Sequence, residues 1–114
     1  MIWTSYYSRY KGDQAVSISL TSPKWYSSPL ATYPALYPPE KLLWGYKEQF
    51  ISWDDYTVTY YREVLSKLDP GKVYRDLNHK VLLCWESPEK NCHRHLVAEW
   101  LHREISVNVR EIIY

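Results

Sequence analysis

Reactive side chains gather between positions 84 and 95, where the chain reads Cys84-Trp85-Glu86, then a short loop, then Cys92-His93-Arg94-His95. Cys84 closes an apolar run, Val81-Leu82-Leu83, of the kind that forms a buried strand. The loop is polar and carries Pro88. The residues after Asn91 have the spacing of an amphipathic helix, and Asn91 is the expected N-cap. At about 100° per residue, Leu96, Val97, Trp100 and Leu101 form the buried face. His93 then sits near the centre of that face at its open end, with Cys92 and Arg94 on its two edges. His95 points away, beside Glu99.

A helix start presents free N–H groups and the positive end of a dipole. Arg94 is locally unfavourable there, and a local rule broken in this way points to a site. A bound phosphate or carboxylate would relieve the conflict, so Arg94 and Asn91 are candidate ligand-binding residues. Glu86 is placed to orient His93, the candidate acid or base, or to form an ion pair with Arg94 that clamps the loop. Cys92 has two readings. Beside His93 and Arg94 its thiol is expected to ionise readily and act as a nucleophile or redox group; alternatively it is a small buried residue stacked on Leu96. Cys84, inside the strand, reads as core. Structural zinc needs closely spaced ligand pairs. The two cysteines lie far apart in sequence and His93 and His95 diverge around the helix, so no metal is expected. No glycine-rich phosphate loop or nucleophile elbow is present, no cofactor is implied, and His79 and His102 read as surface residues.

These side chains need a scaffold. Residues 2–7, rich in aromatic and β-branched types, read as a first strand that brings Ser5 and Tyr6 to the wall opposite the helix start. Residues 15–20 alternate apolar and small polar types, as a second strand does. Five prolines rule out a helix or central strand over residues 21–40, yet Trp25, Tyr26, Tyr33 and Tyr37 make the segment too aromatic for a disordered linker. An ordered loop is expected, either functional or covering a sheet edge. Residues 41–50 hold a short helix broken near Gly45. Asp54 or Asp55 caps a better one, on which Tyr56, Tyr60, Val64 and Leu68 share a face until Asp69-Pro70-Gly71 ends it. Residues 72–77 supply a further helical turn or two, and residues 107–113 a closing strand. The order predicts an α/β class: a small Rossmann-like three-layer domain with a mainly parallel sheet and a C-terminal βαβ unit, crossing over right-handed.

The bulk properties agree with one globular domain over residues 1–114: 46% hydrophobic and 24% charged residues suit a packed core. Aromatic residues reach 17%, mostly Tyr and Trp, which suits a half-polar cleft or a subunit interface such as that of a homodimer. A net charge of +1 argues against nucleic acid and membrane surfaces as partners. No run is long enough to span a bilayer, and the opening residues lack the features of a secretion signal. Two cysteines are too few for a disulfide framework, so reduced thiols in a cytoplasm are expected.

The stretch Leu82-Leu83-Cys84-Trp85-Glu86, followed by Cys92-His93-Arg94 and Ala98-Glu99-Trp100-Leu101, resembles the signature of the family named "domain of unknown function 488". That signature is an L-C-x-E strand end followed by C-H-R at a helix head. Ile2 to Tyr7, Ser17-Ile18-Ser19, Pro23-Lys24-Trp25 and Tyr60 to Leu65 are also similar to the short members, so the resemblance spans nearly the whole chain. It implies a compact α/β domain with its pocket around the motif, and it carries Cys84, Glu86, Cys92, His93 and Arg94 over as motif positions. It supplies no activity. Trp85 and the tyrosine- and proline-rich loop depart from the commonest pattern. Three functions remain open: a domain binding a small anionic ligand such as a nucleotide or sugar phosphate, with His93 acid–base chemistry; a thiol-dependent or redox enzyme using Cys92; and a non-enzymatic interaction module in which Cys-His-Arg is a structural clamp.

Overall fold

Among the described residues five short strands make one sheet: β1 (Trp3–Tyr6), β2 (Ala15–Ser17), β3 (Ala31–Thr32), β4 (Val81–Cys84) and β5 (Arg110–Glu111). The structure, a computed structural model, describes residues 1–87 and 90–112. The strand order is β3-β2-β4-β1-β5, and every pairing is parallel. Among the described residues four α-helices accompany it: α1 (Glu40–Lys47), α2 (Trp53–Glu63), α3 (Pro70–Leu77) and α4 (His93–Ile105). This is the α/β class that the pattern predicts. The β4–α4–β5 crossover is present, but β1 lies between its two strands instead of their pairing directly.

The pleat separates the residues of each strand onto two faces. Ile2, Val16, Ile18 and Leu82 face the helices and pack with Tyr56, Tyr60, Leu65, Val73, Leu77, Val97 and Leu101 in the main core. On the other face Tyr7, Ala15, Val81 and Leu83 pack with Tyr10, Tyr26, Leu30 and Ile112. Among the described residues that third layer is therefore built from loop residues and Ile112, not from helices. The aromatic loop over residues 21–40 contributes to it. The same loop also contains a strand that its prolines do not announce: β3 is an edge strand of two exposed residues, a place where nearby prolines are tolerated.

Three boundaries differ from expectation for local reasons. Ser52, not Asp54 or Asp55, caps α2, its Oγ accepting the Asp55 N–H at 3.1 Å. The two aspartates instead occupy the first turn, where they suit the helix dipole. Asp69-Pro70-Gly71 begins a helix, α3, instead of ending one: Asp69 accepts the Gly71 N–H at 3.0 Å, and Pro70 takes the first position, where no N–H is needed. The closing strand is only Arg110–Glu111, extended by an Ile112 N–H bond to the Thr4 carbonyl at 2.8 Å. The expected member Ile113 lies outside the described residues, as does Pro88 of the loop.

Candidate functional site

A pocket of about 370 Å³ opens where β2 and β4 end. Beyond β2 the chain turns towards β3 on one side of the sheet, and beyond β4 it leaves through α4 for β5 on the other. Adjacent parallel strands whose connections part in this way leave a crevice at their carboxyl ends, the usual ligand position of open α/β sheets. Ser19 and Leu20 border the pocket from β2. Cys84, Trp85 and Glu86 border it from β4, and Asn91, Cys92 and His93 from the start of α4. Tyr46, Trp53 and Tyr56 give the remaining wall an aromatic face, beside Pro38, Leu43, Lys47 and Lys90. Trp53 stacks on Tyr56 at 4.8 Å between ring centroids, and Tyr46 meets both.

Cys84 and Cys92 form a disulfide across this floor. Two separate reduced thiols were expected, so this is a correction. Its reason is topological: β4 delivers Cys84 at its carboxyl end, and the loop returns Cys92 to the start of α4 directly above. The N-cap is likewise shifted. Cys92 occupies it with extended backbone, φ −151° and ψ 145°, and makes no side-chain cap bond. Asn91 lies one residue outside, exposed at the pocket rim, its amide 3.4 Å from the Tyr46 hydroxyl.

His93 is buried, as its helical position predicts. Its Nε2 lies 2.6 Å from the Ile18 carbonyl. A carbonyl only accepts, so Nε2 carries the proton and Nδ1 the lone pair. That lone pair faces Cys92 Sγ at 3.8 Å. Burial pushes the imidazole pKa down to about 4, and the neighbouring Arg94 charge adds to the effect. The ring is therefore neutral at neutral pH.

Arg94 is fully buried. Its Nε and Nη2 donate to the two carboxylate oxygens of Glu111 at 3.1 and 3.0 Å, a bidentate pair. Its Nη1 donates to the Glu86 carbonyl at 2.7 Å and to Cys84 Sγ at 2.9 Å. Thr4 Oγ1 donates a further bond to Glu111 at 2.6 Å. Burial alone would raise the Glu111 carboxyl pKa, but the hydrogen bonds from Arg94 and Thr4 outweigh it and leave it below the usual range. The expected Glu86–Arg94 carboxylate pairing is thus corrected. Glu86 contributes only its backbone to Arg94, while its carboxylate reaches Lys47 Nζ at 3.3 Å and makes no described contact with His93.

Ser5 and Tyr6 do not line the pocket. Tyr6 lies against Arg94, its ring centroid 5.8 Å from the guanidinium carbon. Ser5 is buried within β1, its Oγ without a hydrogen-bond partner among the described residues. His95, expected to face solvent, is half-buried. Burial lowers its pKa, and its Nε2 has no partner among the described residues. Sequence distance does not keep Cys84, Cys92 and His93 apart: one donor atom from each lies within 4.8 Å of the others.

Sequence reasoning missed Ser19, Tyr46, Lys47, Trp53 and Tyr56 as pocket residues, and Glu111 as the partner of Arg94. The aromatic repeat of α2 was visible, but it reads equally as core. Glu111 had only one signal: it is the one acidic residue of the closing segment, residues 107–113.

Among the described residues no helix is long and apolar enough to cross a membrane. Residues 2–105 match the family model described as "Active DUF488-N3 subclade". Comparison with curated proteins and with solved structures gave no match.

Proposed function

This chain belongs to the domain of unknown function 488 family, and from that membership, which assigns no reaction, we propose that it is a thiol-dependent enzyme acting by dithiol–disulfide exchange at Cys84 and Cys92. One observation carries the reading. Both cysteines border the pocket, with the Arg94 guanidinium against Cys84 Sγ and the His93 lone pair against Cys92 Sγ.

Cys92 is 6% exposed and Cys84 1%, so Cys92 meets the substrate first. In the reduced protein the start of α4 stabilises the Cys92 thiolate. The thiolate attacks one sulfur of a small-molecule disulfide. The substrate S–S bond breaks, one thiolate leaves, and a Cys92–substrate mixed disulfide forms. The Cys84 thiolate, held by Arg94 Nη1, then attacks Cys92 Sγ, closes the protein disulfide and expels the second substrate thiolate. Two electrons pass from the protein dithiol to the substrate, and the two cysteine protons end on the two product thiols. A low-molecular-weight thiol reverses the exchange and restores the dithiol. Before the Cys92 proton leaves, His93 positions the thiol by accepting from its S–H through Nδ1.

The substrate class follows from the walls. Stacked Trp53 and Tyr56 suit a planar group, and Lys90 at the rim suits an anionic one. A small anionic ligand thus remains the proposed occupant, although Arg94 is already committed to Glu111 and does not hold it. A pair that must be reduced between turnovers fits a reducing compartment, and we place the protein in the cytoplasm on that ground.

The test is alkylation of the reduced protein by iodoacetamide at neutral pH. Cys92 is expected to react at least about tenfold faster than a free peptide cysteine, in line with a thiolate stabilised at a helix start, and Cys84→Ser is expected to trap a mixed disulfide visible by mass. A Cys92 rate no greater than that of the peptide overturns the proposal.

A further inference from the structure

We propose that the reduced Cys84–Cys92 pair, together with His93, is a binding site for a thiophilic d¹⁰ cation such as Zn²⁺. The inference needs the disulfide to open, as the exchange reading does, but not the exchange chemistry itself.

The donor set is two thiolates and one imidazole, the ligand types that such cations prefer. Their donor atoms already lie within 4.8 Å of one another in a buried cluster. Cys92 Sγ and His93 Nδ1 are 3.8 Å apart. Zinc bond lengths in tetrahedral geometry put neighbouring sulfur and nitrogen ligands about 3.5 Å apart, so this edge of the site is nearly formed.

The imidazole is also presented in the right state. The Ile18 carbonyl holds the proton on Nε2 and leaves Nδ1 free to ligate. Metal-bound histidines characteristically donate their other nitrogen to a carbonyl or carboxylate in this manner.

The charges close as well. Two thiolates balance a divalent cation, while Arg94 is balanced separately by Glu111. Arg94 Nη1 is left as a hydrogen-bond donor to Cys84 Sγ, where it would stabilise a ligating sulfur. All three ligand residues border the pocket, so the fourth position belongs to a pocket molecule. Three protein ligands with one open position is the arrangement of catalytic zinc sites rather than structural ones.

The two states exclude each other. A dithiol reductant donates two electrons and two protons to the disulfide and gives two thiols. Binding of Zn²⁺ then releases those two protons as both thiols become thiolates. A small-molecule disulfide re-forms the sulfur–sulfur bond by accepting the two electrons, takes two protons from solution and leaves as two thiols, and the cation is freed.

The test uses the full chain, reduced by a phosphine that is then removed, and titrated with Zn²⁺ in equilibrium dialysis. The expected result is one Zn²⁺ per chain with submicromolar affinity, none in the oxidised protein, and a cobalt-substituted form showing thiolate-to-metal charge-transfer absorption. Cys92→Ser and His93→Ala should each weaken binding at least tenfold. Circular dichroism identifies any variant that fails to fold, and Cys92→Ser carries the comparison if His93→Ala does. A reduced, folded protein that binds no zinc, or variants that bind as the parent does, overturns the site. Alkylation rates measured without metal separate the two proposals: fast thiols without zinc binding refute only the metal site, and zinc binding with ordinary thiols refutes only the exchange reaction.

Discussion

Replacing Arg94 by Met removes the guanidinium while keeping an unbranched stem in the same space. Arg94 has no solvent exposure and makes four described hydrogen bonds, two to Glu111, one to the Glu86 carbonyl and one to Cys84 Sγ. The variant leaves the Glu111 carboxylate with Thr4 as its remaining described donor. Breaking a buried ion pair from one side costs about 3–5 kcal/mol. The Glu111 side chain retains 16% of its exposure and gains some water, which places the expected loss at the lower end, about 3 kcal/mol. For a chain of this size that corresponds to a fall in Tm of roughly 12–20 °C. Urea unfolding of the oxidised protein, with and without the substitution, measures it. Adding Glu111→Leu to Arg94→Met should recover more than about 1 kcal/mol, because the stranded charge is then gone. A loss below about 1 kcal/mol for Arg94→Met alone would refute the clamp and return Arg94 to the pool of cations available for an anionic ligand.

Three further perturbations probe the surroundings of the site. His93 is held neutral in the fold, with its pKa lowered from 6.5 to about 4. Its share of stability is present above pH 6.5 and is lost as pH falls towards 4, when the unfolded chain alone takes the proton. Integrated over that window the loss is about 3 kcal/mol. Urea midpoints of the metal-free oxidised protein across this range should show it, and His93→Gln should flatten that part of the profile. Tyr60→Phe removes a buried bond to the Leu36 carbonyl, 2.7 Å long, and should cost about 1–2 kcal/mol in thermal unfolding; an unchanged Tm would mean that this hydroxyl does not anchor the turn over Pro34–Leu36. Ser5→Ala deletes a buried hydroxyl without a described partner and should stabilise by up to about 1 kcal/mol. A clear loss instead would reveal a partner for that oxygen.

What could be read from sequence was what depends on neighbours along the chain. The buried run ending in Cys84, the helix behind His93 and the face of Leu96, Val97, Trp100 and Leu101 follow from apolar spacing, which the structure reproduces. The burial of His93 at the open end of that face follows from the same periodicity. The family signature is local too, which is why its residues were recognisable without any knowledge of their contacts. The caps were harder, because Ser52, Asp54 and Asp55 are all competent and the choice among them turns on where the preceding backbone enters the helix.

Tertiary structure decided everything that joins residues remote in sequence. Arg94 finds its carboxylate in Glu111 and not in the nearer Glu86, because β5 runs beside β1 and brings Glu111 over Thr4. No periodicity encodes that neighbour. The pocket wall is assembled from Ser19, Tyr46, Trp53 and Tyr56 because the connections of β2 and β4 part in opposite directions, a property of strand order alone. Cys84 and Cys92, eight positions apart, looked too distant for a structural zinc site. A strand followed by a returning helix folds that separation back on itself, so the two sulfurs and the His93 lone pair meet at one point. The residue types that could do chemistry were therefore legible in the sequence, whereas the pairs that would do it depend on which strands lie side by side.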